Sequence, residues 1–246
     1  MTSLFFVVPA YGRLALTQVC LRQLRRTCDE LAEKGIQASA VVVADDENLE
    51  TARGLGFGTV ERSNDFLGAR FNDGYEAAGL DGVDFVMPLG SDDWVDAGWV
   101  AGFLPSSGVV RCSRLMSMVD ETGASLSSLR VGYEGGHGIR MYPRRLLERA
   151  AFRPAEEFRR RAVDTSTLTN LRRLAGGELR LAYFDTDALA VVDWKSPVEQ
   201  LNPSETCARY ATGGQPSDPF EALARRFPDE ALGEMREVYL REAVAV

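Results

Sequence analysis

The chain has 246 residues, of which 45% are hydrophobic and 26% are charged, and its formal net charge is −8. This composition is that of an ordinary globular protein with a substantial core, so we expect one main domain with a small appendage. The acidic balance argues against a broad surface for nucleic acid or anionic membranes, because both partners require clustered lysine and arginine. We therefore expect a partner that is small or uncharged.

The four cysteines are not arranged as a disulfide framework or a zinc site. Cys20, Cys28, Cys112 and Cys207 contain no Cys-x-x-Cys pair, and the first two lie in a helical pattern. This favours buried thiols in a reducing compartment. The first apolar run stops at Pro9 and no basic segment precedes it, so we predict neither a signal peptide nor a membrane span. Together these features predict a cytoplasmic protein.

The first 44 residues have the pattern of a strand, a helix and a second strand. Residues 4–8 are wholly apolar and stop at Pro9, as expected of a buried parallel strand. Apolar residues then recur at helical spacing over 16–31, before a C-terminal cap at Gly35. A β-branched run follows at 40–44. A unit of this kind predicts parallel pairing with a right-handed crossover, and so a nucleotide-binding half-domain.

The rest of the chain alternates between extended and helical patterns, and the segments after residue 108 look antiparallel. From residue 196 onward, prolines and glycines interrupt the chain before a charged amphipathic tail. The further elements predicted are strands at 57–61, 83–92, 109–119, 126–133, 179–184 and 189–193, and helices at 68–78, 143–150 and 164–174.

Two predicted strands end in adjacent carboxylates. Asp45 and Asp46 follow the second strand, and Asp92 and Asp93 follow the apolar run that begins at Val83. The carboxyl ends of parallel strands meet at the edge where open α/β sheets bind ligands, so we expect these acids to converge there around a cation. The alternative for the second pair is a helix through Trp94 and Val95, with Asp92 as its N-cap and Asp93 as a first-turn acid.

Four short motifs occur in order along the chain. They are Pro9-Ala10-Tyr11-Gly12-Arg13, Val43-Ala44-Asp45-Asp46, Ala69-Arg70-Phe71-Asn72-Asp73-Gly74 and Gly90-Ser91-Asp92-Asp93. This order resembles the family-2 glycosyltransferases with the GT-A fold, which typically carry a Pro-x-Tyr-Asn-Arg loop, a Val-Asp-Asp turn, an Ala-Arg-Asn-x-Gly helix and an Asp-x-Asp or Asp-Asp motif. The resemblance covers roughly residues 3–195, and the sequence departs from the pattern at Gly12, Gly90 and Val163.

This resemblance implies an α/β, Rossmann-like fold with a mostly parallel central sheet flanked by helices and a smaller antiparallel acceptor-side part. It divides residues 1–195 into a nucleotide-binding half, 1–95, and an acceptor half, 96–195. Residues 196–246 are then a C-terminal helical tail or lid. A lid of this kind would exclude water and protect the donor from hydrolysis.

The resemblance also implies a nucleotide-sugar donor and a divalent metal, Mn²⁺ or Mg²⁺. Asp93 and Asp92 would hold the metal, whose charge stabilises the departing diphosphate. Tyr11 would stack on the base, and Arg13 and Arg70 would pair with phosphates, although ordinary surface arginines are the alternative. The implied donor site comprises Pro9, Tyr11, Arg13, Asp45, Asp46, Arg70 and Asp92.

Asp164 is the general base that the resemblance implies for an inverting transfer, which needs a carboxylate to take the proton of the acceptor hydroxyl. The residues alone favour a different role, because Asp164 followed by Thr165 is a natural helix N-cap. On the acceptor side, Gly136 and His137 lie in a glycine-rich loop that would approach a ligand closely, although a loop histidine exposed to water is the alternative. Lys195 would reach the donor phosphates if the tail closes.

The predicted function is transfer of a sugar, by analogy from a UDP-sugar, to an acceptor hydroxyl with inversion. A non-catalytic binding or assembly module of the same fold is an alternative, because fold alone does not establish chemistry. A nucleotidyltransferase is a second alternative, but the loop at residues 9–13 lacks the glycine-rich sequence with arginine and lysine that holds a triphosphate. A protein, a saccharide and a small molecule all remain open as acceptor, and so does the oligomeric state.

Overall fold

The structure is a computed structural model that describes residues 1–45, 47–104, 109–130, 140–160, 163–176, 179–184, 187–195 and 218–244. Within these ranges, no helix has both the length and the apolar composition needed to cross a bilayer. The described strands are β1 (Thr2–Pro9), β2 (Ile36–Ala44), β3 (Gly58–Glu61), β4 (Phe85–Pro88), β5 (Asp93–Val95), β6 (Val109–Ser113), β7 (Leu115–Val119), β8 (Leu126–Arg130), β9 (Arg140–Pro143), β10 (Arg180–Phe184) and β11 (Val191–Trp194). The described helices are α1 (Leu14–Glu33), α2 (Asn48–Gly54), α3 (Leu67–Asp81), α4 (Ala97–Phe103), α5 (Arg144–Glu148), α6 (Val163–Leu174), a 3₁₀ turn (Ala188–Ala190), α7 (Pro219–Leu223) and α8 (Asp229–Val244).

The predicted strand-helix-strand unit at the amino terminus is confirmed. The strands β1 and β2 pair in parallel over their length, from Thr2 opposite Ile36 to Pro9 opposite Val43. The apolar residues of β1 from Leu4 to Val8 are all buried, because the sheet is covered on both faces. Gly35 follows α1 in the left-handed conformation, with φ of +77°, as expected at a C-terminal cap.

The central sheet contains seven of the described strands, in the order β10-β6-β9-β4-β1-β2-β3. Strands β1, β2, β3 and β4 run parallel to their neighbours in this group, and β10 runs parallel to β6. Strand β9 is antiparallel to both β4 and β6. The sheet is therefore mostly parallel with one reversed strand among those described, which confirms the predicted fold class.

A second, smaller sheet has the described strand order β5-β11-β7-β8. Strands β7 and β8 form the antiparallel hairpin that the sequence predicted, and their turn is closed by Asp120, whose carboxylate accepts hydrogen bonds from the backbone of Thr122 and Ala124. The extended segment predicted over residues 109–119 divides at Arg114, so that β6 joins the central sheet and β7 joins the second one.

The strand predicted over residues 83–92 was too long. Strand β4 ends at Pro88, and Asp93 begins β5, which belongs to the second sheet. The alternative of a helix through Trp94 and Val95 does not hold, because these residues belong to β5. The helix α4 starts only at Ala97 and is capped by Asp96, whose side chain accepts from the backbone N–H of Trp99 at 2.7 Å. The interpretation of Asp92 as a helix N-cap is therefore wrong.

The described part of the carboxyl-terminal tail packs against α1 and the second sheet. Glu234 of α8 accepts hydrogen bonds from Arg22 at 2.6 Å and Arg26 at 2.8 Å, both on α1. Below these ion pairs lies an apolar cluster that joins α1, α7, α8, β5 and β11. Its aromatic members are Trp94, Trp194, Phe220, Phe227 and Tyr239.

Candidate active site

A cavity of about 600 Å³ opens at the carboxyl ends of β1 and β4. This is the edge at which open α/β sheets bind their ligands. Basic and acidic side chains from both sheets line it together with a few apolar ones, so the cavity suits a charged ligand with an apolar part. The lining residues are Pro9, Tyr11, Arg13, Asn64, Asp65, Leu67, Arg70, Phe71, Gly90, Ser91, Asp92, Asp93, Met116, Arg160, Asp193 and Lys195.

Three carboxylates converge on one side of this cavity. Asp92 lies just before β5 and Asp93 at its start, while Asp193 lies in β11, directly opposite Asp93 in the antiparallel register. One oxygen of each of the three lies within 4.8 Å of the others. Among the described residues they form a group with the spacing of a metal site.

Each of the three carboxylates has one oxygen held by a donor from the protein. Asp92 Oδ2 accepts from Arg13 Nη1 at 2.6 Å, and Asp93 Oδ2 accepts from the backbone N–H of Gly90 at 2.8 Å. Asp193 Oδ2 lies 2.5 Å from Lys195 Nζ in an ion pair whose two side chains are almost wholly buried. Hydrogen bonds and ion pairs of this kind, from groups that do not themselves bind the metal, fix the orientation of carboxylate ligands in the metal-free protein.

The charges around the cluster act differently on neighbouring acids. Burial alone would raise the pKa of Asp92, but the charges of Arg13 and Lys195 and the hydrogen bond from Arg13 hold that pKa below its ordinary value. Burial and the negative charges of Asp92 and Asp193 raise the pKa of Asp93 well above its ordinary value. The two cations thus do not fully compensate the three acids, and a divalent cation bound among them would favour the ionised form of Asp93.

The chemistry of this donor set fits Mn²⁺ or Mg²⁺. Both are hard cations that prefer oxygen ligands, and an ion bound at about 2.1 Å places opposite ligands about 4 Å apart. The spacing of up to 4.8 Å among the three carboxylate oxygens accommodates such an ion with small side-chain adjustments. Asp92, Asp93 and Asp193 are therefore the residues that would hold the metal.

The loop after β1 has an unusual backbone that aims Arg13 at the acids. Gly12 and Arg13 both have positive φ, +56° and +41°, and Arg13 is the residue that precedes α1. Glycine adopts this left-handed conformation at little cost, which suits Gly12 to its place in the loop. From this position Arg13 donates to Asp92 and, at 3.1 Å, to Ser91 Oγ.

The positions of the Asp92 and Asp93 carboxylates require a glycine at position 90. A Cβ at this residue would lie 2.6 Å from Asp93 Oδ2 and 2.7 Å from Asp92 Oδ1, closer than real Cβ atoms approach their neighbours. A larger residue here would therefore push the carboxylates from their present positions.

The predicted donor residues Pro9, Tyr11, Arg13 and Arg70 all line the cavity. Tyr11 is 43% exposed at its rim, so its ring is accessible to a ligand. Arg70 is buried, and its Nη1 donates to the backbone oxygen of Ala10 at 2.9 Å, which ties α3 to the end of β1. Lys195 also lines the cavity, beside the acids.

Other predicted site residues lie at the edge of the cavity or outside the described chain. Asp45 is exposed and does not line the cavity, but its carboxylate accepts from the backbone N–H of Asn64, which does, at 3.0 Å. The predictions for Asp46, Gly136 and His137 fall outside the described residues.

Asp164 is not among the residues that line the cavity either. It is the second residue of α6 rather than the residue before it, so the N-cap interpretation is wrong. The buried guanidinium of Arg140, on β9, donates to the backbone oxygen of Asp164 and lies 3.6 Å from its Oδ2. No described residue donates a hydrogen bond to that Oδ2 atom. Arg160, four positions earlier in the sequence, does line the cavity.

The sequence prediction missed Asp193, although a signal for it exists. Val191 and Val192 form a β-branched run that ends on this acid, which is the same pattern that drew attention to Asp45 and Asp92. The dipeptide Asp-Trp also occurs twice, at 93–94 and 193–194, and the two tryptophan rings pack with their centroids 4.9 Å apart. The other described lining residues that were not predicted as site residues are Asn64, Asp65, Leu67, Phe71, Gly90, Ser91, Met116 and Arg160.

No family model matches the sequence, and no curated protein sequence matches it either. Solved structures do resemble the fold. A putative nucleotide-diphospho-sugar transferase from Desulfovibrio desulfuricans G20 is similar with a TM-score of 0.50 at 15% identity, over 98% of each chain. The catalytic domain of Drosophila β1,4-galactosyltransferase 7, complexed with xylobiose, has a TM-score of 0.52 at 12% identity, over 87% of this chain and 82% of that one.

Two further structures complete the comparison. A mutant of the Drosophila enzyme, complexed with manganese, UDP-Gal and xylobiose, has a TM-score of 0.51 at 12% identity, over 95% of this chain and 84% of that one. A CMP:2-keto-3-deoxy-manno-octonic acid synthetase complexed with CTP is more distant, with a TM-score of 0.45, and has no bearing on the reaction. At such low identities a structural likeness establishes architecture rather than chemistry. The mostly parallel described sheet with its reversed strand β9, together with the likenesses at TM-scores of 0.50 to 0.52, shows that the chain has a GT-A-like fold.

Proposed function

We propose that this protein is a metal-assisted, inverting glycosyltransferase that takes a sugar from a nucleotide-sugar donor, as members of glycosyltransferase family 2 do. The observation that carries the proposal is the convergence of Asp92, Asp93 and Asp193 with Arg13 and Lys195 at the sheet edge where nucleotides bind. A plain nucleotide-binding module would not require three carboxylates there, since they repel a diphosphate unless a cation intervenes.

Each side of the cavity has a distinct task in this proposal. Asp92, Asp93 and Asp193 hold Mn²⁺ or Mg²⁺, which when bound offsets the charge that grows on the leaving diphosphate. Lys195 keeps Asp193 in place and adds positive charge beside the phosphates. Tyr11, at the exposed rim, offers its ring to the base of the nucleotide.

The donor's base and phosphates have further proposed contacts. Asp45 accepts a hydrogen bond from the base at the edge of the cavity. Its carboxylate also accepts one from the backbone N–H of Asn64. Arg13 and Arg70 supply cationic groups at the phosphate end, since both line the cavity. By analogy with the family, the donor is a UDP-sugar.

Asp164 is the proposed general base. In the transfer, the acceptor oxygen attacks the anomeric carbon from the face opposite the leaving group, and the bond from that carbon to the phosphate oxygen breaks. The hydroxyl proton passes to the Asp164 carboxylate, and the nucleoside diphosphate departs. The role rests on the resemblance to family 2 and on the sequence proximity of Asp164 to Arg160, which lines the cavity. Asp164 itself does not line the cavity, and its buried Oδ2 lies 3.6 Å from Arg140.

The test is binding and turnover of nucleotide sugars by the purified full chain. Thermal unfolding is followed with UDP, other nucleotides and UDP-sugars, with and without Mn²⁺, and release of UDP is then measured with water as the acceptor. We expect UDP to raise the melting temperature only when Mn²⁺ is present, because ligands that bind the native state stabilise it in proportion to their occupancy. We also expect slow release of UDP from at least one UDP-sugar.

Asp93→Asn is the matched variant for this test, because it keeps the side-chain shape and removes the charge. It should lose the Mn²⁺-dependent shift. If no nucleotide binds in any condition, the chain is a non-catalytic module. If pyrophosphate is released from a nucleoside triphosphate, it is a nucleotidyltransferase. Either result would reject the proposal.

A further inference from the structure

The strand end that carries Asp193 and Lys195 is anchored by the carboxyl-terminal helix α8. Lys195 follows the last residue of β11, and its backbone N–H donates to Val119 at 3.0 Å, which extends the sheet by one residue. Its backbone oxygen accepts a buried hydrogen bond from the Tyr239 hydroxyl at 2.5 Å. Both backbone groups of Lys195 are therefore fixed.

The direction of the Lys195 side chain follows from this anchoring. Residues two apart in an extended segment project to the same side, so Lys195 and Asp193 both face the cavity. Trp194 between them projects to the other side and packs near the Tyr239 ring, with centroids 6.1 Å apart. The backbone at Lys195 thus determines whether its ammonium group meets the Asp193 carboxylate.

The position of Tyr239 is itself closely defined. A Cβ on Gly123, in the turn between β7 and β8, would lie 2.9 Å from Tyr239 Cγ, so the turn leaves room for the ring only because glycine is there. Ion pairs from Arg22 and Arg26 to Glu234 hold the same helix to α1. The hydroxyl therefore has little freedom to move away from Lys195.

We propose that Tyr239 is a positioning residue for the metal and diphosphate site, acting through the Lys195 backbone on the Lys195–Asp193 pair. This inference rests on the proposed function, because it assumes that Asp193 is a metal ligand. It assigns a role in the site to a helix that lies behind the second sheet and contributes no side chain to the cavity lining. Tyr239 would not touch the donor or the metal.

The experiment compares Mn²⁺ affinity in the full-length wild type and in Tyr239→Phe by isothermal titration calorimetry. The phenylalanine ring keeps the apolar cluster filled and removes only the hydroxyl. We expect Mn²⁺ to bind roughly 3- to 10-fold more weakly, less than the 10- to 100-fold typical of groups that contact metal ligands directly. Tyr75→Phe is the matched control, since it removes a buried hydroxyl from α3, in a different apolar cluster.

The outcomes separate this inference from the proposed function. A wild-type protein that binds no Mn²⁺ would reject both. Equal Mn²⁺ affinities in wild type and Tyr239→Phe would reject only the positioning role. An equal loss in Tyr239→Phe and Tyr75→Phe would also reject it, because the effect would then come from general destabilisation. Thermal unfolding of both variants checks that they fold.

Discussion

Asp93 and Asp193 lie directly opposite each other in neighbouring antiparallel strands, β5 and β11. Residues in this position project to the same face of the sheet, and like charges placed there destabilise it. The pKa of Asp93 is raised well above its ordinary value by burial and by its acidic neighbours. The pair is therefore unfavourable for folding alone, and a bound cation provides a reason for its presence.

Replacing Asp193 with asparagine should weaken Mn²⁺ binding at least tenfold, because it removes a ligand charge while it keeps the side-chain shape. The measurement is a calorimetric titration with MnCl₂. Asp187→Asn is the control, since Asp187 precedes the 3₁₀ turn before the same strand and does not line the cavity. Unchanged affinity in Asp193→Asn would remove this residue from the proposed metal site.

Replacing Gly90 with alanine should displace the carboxylates of Asp92 and Asp93, since the new Cβ would lie within 2.7 Å of an oxygen of each. We expect weaker Mn²⁺ binding and a lower rate of UDP release. Gly102→Ala is the control, because no atom lies within 4 Å of a Cβ at that position in α4. There the substitution should leave Mn²⁺ binding unchanged and stabilise the helix by up to about 1 kcal/mol. Full Mn²⁺ affinity in Gly90→Ala would show that the acids tolerate a neighbouring side chain.

Replacing Asp164 with asparagine tests the proposed base. The rate of UDP release should fall about 10²- to 10⁴-fold, while Mn²⁺ and UDP bind as in the wild type. Asp229→Asn is a matched control, because Asp229 is also an acid in the first turn of a helix, α8. If Asp164 only stabilises α6, both variants should lose a similar, small free energy of unfolding and neither should change the rate.

Replacing Glu234 with glutamine should loosen the contact between α1 and α8 and lower the free energy of unfolding by about 0.5–1 kcal/mol at neutral pH. Burial would raise the pKa of Glu234, but the hydrogen bonds and charges of Arg26 and Arg22 outweigh it, so the pKa is lowered. A lowered pKa of an acid stabilises the fold above the ordinary pKa of glutamate, and this contribution is lost as the pH falls. Urea unfolding at pH 7 and pH 3 checks this, since the difference between wild type and variant should shrink at the lower pH.

Three thiols should be unreactive in the native protein. Burial raises the pKa of Cys28 to about 12 and also raises the pKa values of Cys20 and Cys112, so little thiolate forms at pH 8. In a Cys207→Ser variant, Ellman's reagent should detect no rapidly reacting thiol in the folded protein and three after denaturation. Rapid reaction of a native thiol would contradict the burial of these side chains.

Local sequence patterns were sufficient for the amino-terminal strands of the central sheet and for one side of the cavity, but not for β9, the reversed strand. The β-branched strand β2, the apolar run of β1 and the helical spacing of α1 are decided by burial over a few residues, so each could be predicted. The loop after β1 and the acids Asp92 and Asp93 are likewise contiguous motifs. Their meeting point followed from the rule that parallel strands end at one edge.

Only the tertiary structure decided what completes the cluster. Asp193 becomes a neighbour of Asp93 because β11 pairs with β5 in a second sheet, and the local pattern of a strand does not identify its long-range partner. The break after Pro88 was missed although Pro88 and Gly90 are residues that commonly interrupt strands. The hydrogen bond from Tyr239 to Lys195 likewise joins residues that only the packing of α8 behind the second sheet brings together. Residue types fixed the chemistry available to this chain, whereas strand register and helix packing fixed which groups share one site.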